Sequence, residues 1–119
     1  SISCDRNIKQ FKCPKLILLP LAENSIYHGI KGLKYKGNIN ITVNQDEDNI
    51  LFKVSDNGFG IDMDNLNHIL NDETDNNHHF ALKHINRILK LYYGNDYRLD
   101  FENQNPGCSI SFKIKKEFL

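Results

Sequence analysis

Two segments of alternating apolar and polar residues, joined by a polar turn, constrain the fold more than any other feature. Apolar side chains occupy every second position in both, namely Ile39, Ile41 and Val43, then Ile50, Phe52 and Val54. Because successive side chains of a β-strand point to opposite faces, this spacing predicts two strands that each bury one face. The intervening NQDEDN predicts an antiparallel hairpin, whose second strand ends at Asp56.

Further strands and helices follow from the same kind of pattern. A third strand is predicted at Tyr97, Leu99 and Phe101, a fourth at Cys108, Ile110, Phe112 and Ile114, and an edge strand at Ile2. Helical spacing predicts a helix from Phe80 that Gly94 ends, and LNHIL predicts one short helical turn. We therefore expect an α/β (α+β) two-layer sandwich. Its mixed, mostly antiparallel sheet has about five strands, covered on one face by about three helices.

A helix is also predicted from about Pro14 to Ile30, with Pro20 marking either a kink or the true start. Successive helical residues are about 100° apart, which separates two arcs. The mostly polar arc contains Pro20, Glu23, Asn24, Tyr27, His28 and Lys31. The mostly apolar arc contains Leu18, Leu21, Ala22, Ser25, Ile26 and Gly29.

Composition narrows the class of protein. The 119 residues suit one domain, 1–119, with a single core. Lys+Arg and Asp+Glu both number 15, so net charge gives no reason to expect nucleic acid as a partner. The cysteines Cys4, Cys13 and Cys108 lack metal-ligand spacing and indicate free thiols in a reducing cytosol. Because the chain begins in a strand-like SIS without methionine, we expect a piece of a longer protein.

Two motifs carry the functional signal, and each has an ordinary interpretation when taken alone. LPLAENSIYHG could simply expose a polar helix face, and DNG is a common hairpin turn because Asn and Gly tolerate positive φ. Together, LLPLAENSIYHGI resembles the N box and DNGFGI the first glycine box of GHKL (HATPase_c) nucleotide-binding domains. The final LKHINRILKLYYGNDYRLDFENQNPGCSISFKI resembles the helix, Tyr-Gly and hairpin that close such domains. The resemblance covers nearly the whole chain and is nearest to sensor histidine kinases of the YesM/LytS-like group.

The resemblance implies the Bergerat ATP-binding fold with a long ATP lid at about 58–79, and it implies roles for the N-box residues. Asn24 would supply an amide oxygen to the magnesium ion of Mg-ATP, which prefers hard oxygen ligands. Glu23 would be catalytic, holding a metal-bound water or orienting a proton. His28 would donate to a phosphate oxygen, and Lys31 would add positive charge.

The glycine box implies the adenine contacts. Asp56 would accept a hydrogen bond from the adenine amino group, and Ile61 would pack against the base. Gly58 and Gly60 would let the backbone approach the base and act as lid hinges. The resemblance also assigns nucleotide-binding positions to Tyr27 and Leu82.

Two departures from the family pattern affect this interpretation. The second glycine box, typically Gly-x-Gly-Leu, is replaced here by His79-Phe80-Ala81-Leu82, although Leu82 and the following Lys83 match. The Gly-Thr of the last hairpin is replaced by Gly107-Cys108-Ser109, and a thiol is a weak donor and acceptor. Ser109 could replace the threonine only if the strand register slipped by one residue.

The resemblance implies a histidine kinase domain that gives the γ-phosphate of ATP to a histidine on a separate dimerisation domain. A response regulator receiver domain would be the next partner, and the full protein would be a membrane-anchored homodimer with this domain in the cytoplasm. Two alternatives stay open. One is a degenerate GHKL domain with weak or no ATP binding that acts as a protein-interaction scaffold. The other is a GHKL anti-sigma-type protein-serine kinase, which shares the fold and the site.

Overall fold

The structure is a computed structural model that describes residues 2–4, 15–26, 32, 34–60, 63–65 and 80–119. Its strands and α-helices are β1 Ile2–Cys4, α1 Lys15–Asn24, β2 Ile39–Gln45, β3 Asn49–Asp56, α2 Phe80–Tyr93, β4 Asp100–Asn103 and β5 Cys108–Lys115. Short 3-10 turns are present at Met63–Asn65 and Lys116–Phe118. The predicted LNHIL turn, at residues 66–70, lies outside the described residues.

The five strands form one sheet in the spatial order β1-β2-β3-β5-β4. β1 pairs parallel with β2 at one edge, and the three other pairings are antiparallel. The α+β class and the mostly antiparallel sheet are confirmed. Two α-helices, rather than the expected three, fall within the described part of the chain.

One face of the sheet forms the core with the two helices. Ile50, Phe52 and Val54 alternate as buried residues along β3, while the residues between them are half-buried. The register pairs Phe52 with Phe112 of β5, and their rings stack with centroids 5.0 Å apart. The helices contribute Ile17 and Leu21 from α1 and Leu82, Ile85 and Leu89 from α2. The alternation of apolar residues thus predicted the buried face correctly.

The β2–β3 connection is tighter than the predicted NQDEDN turn because the strands extend to Gln45 and from Asn49. Asp46 Oδ1 accepts hydrogen bonds from the backbone N–H of Asn49 at 2.7 Å and of Asp48 at 3.0 Å. These backbone hydrogen bonds lower the pKa of the Asp46 carboxyl. The aspartate therefore fixes the geometry of the turn.

The third predicted strand begins later than the alternation indicates. β4 starts at Asp100, so the prediction is wrong for Tyr97 and Leu99. The backbone N–H of Leu99 donates to Asn86 Oδ1 of α2 at 3.0 Å, and the Tyr97 ring packs against Tyr93 with centroids 5.6 Å apart. Leu99 is thus hydrogen-bonded to the helix and Tyr97 packs on it, instead of pairing with β5, a difference that periodicity alone does not reveal.

The helix ends are partly as predicted. α1 begins at Lys15, so Pro20 lies in its interior and the alternative of a start near Pro20 is wrong. Pro20 has no N–H, which removes one hydrogen bond from the helix. α2 ends at Tyr93, and Gly94, with φ +125°, donates its N–H to Lys90 O at 3.0 Å, as expected. Neither α-helix in the described ranges has the length and apolarity needed to cross a bilayer.

Candidate functional site

Asp56 lies at the end of β3, on the face of the sheet that the helices cover. The register pairs it with Cys108 of β5 on one side and Ile39 of β2 on the other. Its exposed fraction is 7%, and Oδ1 accepts a hydrogen bond from the backbone N–H of Gly58 at 2.9 Å. The Asp56 carboxylate is therefore a buried hydrogen-bond acceptor beside residues 57–60, which leave the sheet after β3.

Asn57 anchors that departing chain, so the DNG sequence does not close a hairpin here. Its Nδ2 donates to Lys36 O at 2.9 Å, and its Oδ1 accepts from the backbone N–H of Asn38 at 2.7 Å. The Tyr35 hydroxyl donates to Asn57 O at 2.6 Å. The Asn57 side chain thereby holds Lys36 and Asn38 beside the end of β3, and its backbone carbonyl holds Tyr35.

Two glycines shape the space around Asp56. Gly107 has φ +106°, and an added Cβ would overlap the Asp56 carbonyl oxygen and lie 2.8 Å from Asn57 Cα. Gly60 has φ +80°, and an added Cβ would lie 3.0 Å from Asn103 Oδ1 and 3.2 Å from Gly107 O. Both positions therefore require glycine, because the end of β3 and the β4–β5 hairpin approach each other too closely for a side chain.

Cys108 is a buried free thiol opposite Asp56. Burial and the negative charge of Asp56 raise the pKa of the thiol to about 11. Ser109 pairs instead with Ser55, and their hydroxyls are 3.4 Å apart on the opposite face of the sheet. The register has not slipped, so the thiol takes the position where the family pattern has threonine.

The buried face of α1 differs from the predicted arcs. Asn24, assigned to the polar arc, is 7% exposed, whereas Ile26, assigned to the apolar arc, is 54% exposed. Glu23 is exposed, as expected. The predicted arcs are wrong for Asn24 and Ile26 because Asn24 lies one turn beyond the core residue Leu21, at i+3, and so turns inward with it.

Asn24 carries a buried polar atom. Its Oδ1 is a buried oxygen with no hydrogen-bond partner, and Ser25 Oγ is in the same condition within the described ranges. Buried polar atoms are nearly always hydrogen-bonded, so such orphan atoms indicate a place for a ligand. An amide oxygen is a donor atom that Mg²⁺ accepts, so this residue fits the metal role that the N box implies.

The first turn of α2 contains the cationic Lys83 and no acidic residue. Lys83 is 7% exposed, and its neighbour Leu82 is fully buried in the core. The Leu82 side chain therefore serves packing, so what this position can offer a nucleotide is backbone. A helix N-terminus with a lysine favours anions.

Four predicted site residues, Tyr27, His28, Lys31 and Ile61, lie outside the described residues, as do His79 and most of the predicted lid. The predicted site residues that are described are Glu23, Asn24, Asp56, Gly58, Gly60 and Leu82. Asn24 and Asp56 both turn towards the layer between sheet and helices, whereas Glu23 faces solvent.

Sequence reasoning gave no site role to Ser25 or Asn57, and it noted Lys83 and Gly107 only as matches to the family pattern. Ser25 and Asn57 sit inside the two quoted motifs, so their positions were a usable signal. The position of Lys83 in the first turn of a predicted helix was a further signal for anion binding. The contact of Gly107 with Asp56 could not be predicted, because it arises from the pairing of β3 with β5.

Other features of the described residues do not compete with this site. Two open cavities, of about 340 and 380 Å³, share Asn49 and Lys115 in their linings. They lie at the start of β3, the opposite end of the strand from Asp56. Within the described ranges there is no group of three His, Cys, Asp or Glu residues able to hold a metal ion. A single amide oxygen is instead suited to an ion that arrives with phosphate ligands.

Curated relatives are sensor kinases. The chain is 33% identical over 104 residues to the sensor histidine kinase YpdA of Escherichia coli K12, covering 87% of this chain and 18% of YpdA. It is 30% identical over 112 residues to the sensor protein LytS of Staphylococcus haemolyticus, covering 92% of this chain and 19% of LytS. The chain therefore spans about a fifth of the length of these relatives.

Solved structures with the same fold include the catalytic domain of the histidine kinase ThkA. It superposes with a TM-score of 0.70 at 17% identity, over 97% of this chain and 78% of that domain. The family model for histidine kinase-, DNA gyrase B-, and HSP90-like ATPases matches residues 13–117. With the relatives, this match confirms the resemblance indicated by the N box and first glycine box. The chain belongs to the family of histidine kinase-, DNA gyrase B-, and HSP90-like ATPases.

Proposed function

We propose that this domain binds Mg-ATP and donates the γ-phosphate to a histidine on a separate dimerisation domain of a two-component sensor kinase. The observation that carries the proposal is the buried Asn24 Oδ1, which has no hydrogen-bond partner in the described part of the chain. This is the residue that the N box assigns to the metal. A buried amide oxygen left unpaired destabilises the fold unless a bound ligand engages it.

Asp56 would recognise adenine. Its Oδ1 is occupied by the Gly58 N–H, so Oδ2 is the oxygen we assign to the adenine amino group. Gly60 and Gly107 let the neighbouring backbone segments pack closely around this end of β3, and we infer that this packing holds Asp56 in place for the base. We assign Ile61 and Tyr27 to the rest of the base and nucleotide contacts.

The phosphates would lie towards the start of α2. The buried Lys83 and the first-turn backbone near Leu82 supply positive charge and N–H donors. We assign His28 and Lys31 to the same phosphates. Magnesium, when bound, neutralises phosphate charge, and Asn24 would hold it. Positioning and charge neutralisation are most of what phosphoryl transfer requires.

Glu23 would act on the acceptor side of the reaction. Glu23 immediately precedes Asn24 on α1, yet its side chain faces solvent whereas that of Asn24 is buried. An exposed carboxylate beside a metal ligand is open to an incoming histidine, whose ring proton it can accept or orient.

The surrounding assembly belongs to the same proposal. The domain would occupy 1–119, with a lid at about 58–79, in the cytoplasm below a membrane-anchored homodimer. Its partners would be its own dimerisation domain and a response regulator. A structure of ThkA in complex with the response regulator TrrA shares the fold of this chain, with a TM-score of 0.70 at 18% identity.

One observation favours the scaffold alternative. Cys108 places a neutral, weakly hydrogen-bonding thiol next to Asp56, where the family pattern has a hydroxyl. In that case the domain would bind ATP weakly or not at all and would serve protein contacts.

A thermal-shift titration separates the two functions. The melting temperature is measured with a non-hydrolysable ATP analogue, with and without Mg²⁺. A ligand at a hundred times its dissociation constant stabilises the native state by about 2.7 kcal/mol, which corresponds to several degrees. We expect a magnesium-dependent rise that the Asn24→Leu variant loses. No rise at millimolar analogue would instead support the scaffold.

A further inference from the structure

Ser25 has a buried hydroxyl that the proposed function does not yet use. Its exposed fraction is 2%, and its Oγ has no hydrogen-bond partner among the residues that the structure describes. A serine in or next to a helix commonly satisfies its hydroxyl on the carbonyl four residues earlier, which here is that of Leu21. That bond is not formed, so within the described ranges the hydroxyl keeps its full hydrogen-bonding capacity.

The neighbouring Asn24 makes this hydroxyl informative. Asn24 Oδ1 and Ser25 Oγ belong to consecutive residues, and both are buried and lack a partner among the residues that the structure describes. The amide oxygen is an acceptor only, suited to a cation, whereas a hydroxyl can donate to an anionic oxygen. Magnesium bound to a phosphate presents both partners side by side.

We propose that Ser25 is a phosphate-binding residue, whose hydroxyl donates to an anionic oxygen of the Mg-nucleotide that Asn24 holds through its metal. This inference rests on the proposed function. Because consecutive helical side chains diverge by about 100°, the two groups would flank the ligand rather than share one atom of it. Ser25 would thereby add a phosphate donor to a chain in which two glycines of the family pattern are replaced, at His79 and Ala81.

A purely structural role predicts different behaviour. If the hydroxyl has an internal partner, its removal weakens the nucleotide-free protein and leaves affinity unchanged. If the hydroxyl waits for the nucleotide, its removal relieves an unpaired buried group, so the nucleotide-free protein becomes more stable while affinity falls. The two roles therefore predict opposite changes in the stability of the nucleotide-free protein, and only the nucleotide-binding role predicts a loss of affinity.

The experiment compares Ser25→Ala with Ser109→Ala in the full chain. Ser109 is a matched control because it is also 2% exposed, yet its hydroxyl has a partner, Ser55 Oγ, 3.4 Å away. Melting temperatures are measured without ligand, and affinities for Mg²⁺ with a non-hydrolysable ATP analogue and for adenosine are measured by calorimetry. A hydrogen bond to a charged group changes affinity by about tenfold or more.

We expect Ser25→Ala to raise the nucleotide-free melting temperature by a few degrees. We expect it to weaken the Mg-analogue about tenfold and to leave adenosine unchanged. Ser109→Ala should lower the melting temperature and leave both affinities alone. An unchanged Mg-analogue affinity, a lower melting temperature or a failure of Ser25→Ala to fold would overturn the inference. If the unsubstituted chain binds no Mg-analogue, the proposed function itself fails, which is a separate result.

Discussion

Asp56 and Cys108 lie directly opposite each other, where β3 ends and β5 begins, both buried on the face of the sheet that the helices cover. A carboxylate thus shares its environment with a thiol that stays protonated well above neutral pH. Asp56 matches the family pattern, whereas Cys108 replaces its threonine. The pair yields three predictions.

Asp56→Asn should weaken adenine nucleotides in particular. Asparagine keeps an oxygen that can accept from the Gly58 N–H, so the local fold should persist. The amide replaces the other oxygen with a donor, which cannot accept from the adenine amino group. We expect a loss of about tenfold or more for an ATP analogue, measured by calorimetry. An equal loss for a non-adenine triphosphate would contradict the role given to Asp56.

Cys108→Thr should strengthen adenine nucleotide binding several-fold, because a hydroxyl is a better donor and acceptor than a thiol. Cys108→Val is the matched control, since valine has the shape of threonine without the oxygen. Affinities of the two variants and the unsubstituted chain are compared in the same titration. A gain shared by valine would mean that packing, rather than hydrogen bonding, is responsible.

The same thiol predicts a pH dependence of stability. The pKa of Cys108 is raised to about 11 from an ordinary 9.0, chiefly by burial and then by the charge of Asp56. Between these values the unfolded chain loses a proton that the folded chain keeps, so stability falls as pH rises from about 9 to 11. Cys108→Val should make this fall shallower in denaturant unfolding at pH 8 to 10.5. Parallel curves for the two proteins would rule out the contribution.

Gly107→Ala should be strongly destabilising. An added Cβ would overlap the Asp56 carbonyl oxygen and lie 2.7 Å from its carbon, with φ at +106°. Strain and crowding together predict a loss of about 4 kcal/mol in the free energy of unfolding. Gly94→Ala separates the causes, because its φ is +125° but the nearest atom would be 3.9 Å away. Chemical denaturation should show a loss of only about 1–3 kcal/mol there, and equal losses would exclude the clash.

Local pattern predicted those parts of the fold that depend on one strand or helix at a time. Alternation identified β2, β3 and β5, and Gly94 marked the end of α2. It failed at Leu99, because an extended residue bonded to Asn86 of a helix has the same sequence period as one in a sheet.

The site divides in the same way. The motifs indicated Asn24 and Asp56, but the helical arcs predicted that Asn24 faces solvent. That prediction failed because the rotation of α1 about its axis is set by its packing in the core. The unpartnered hydroxyl of Ser25 and the fit of Gly107 against Asp56 depend on tertiary packing and strand pairing, which no local pattern encodes.

The fastening of Asn57 has a chemical consequence for the lifetime of the protein. Asn-Gly is the dipeptide most prone to deamidation, in which the glycine nitrogen attacks the asparagine side-chain carbonyl, ammonia leaves and a succinimide forms. Here the Gly58 N–H is engaged by Asp56, and the Asn57 amide is bonded to Lys36 and Asn38. In the native state both reacting groups are therefore held in hydrogen bonds, and we expect deamidation at this bond to require local unfolding.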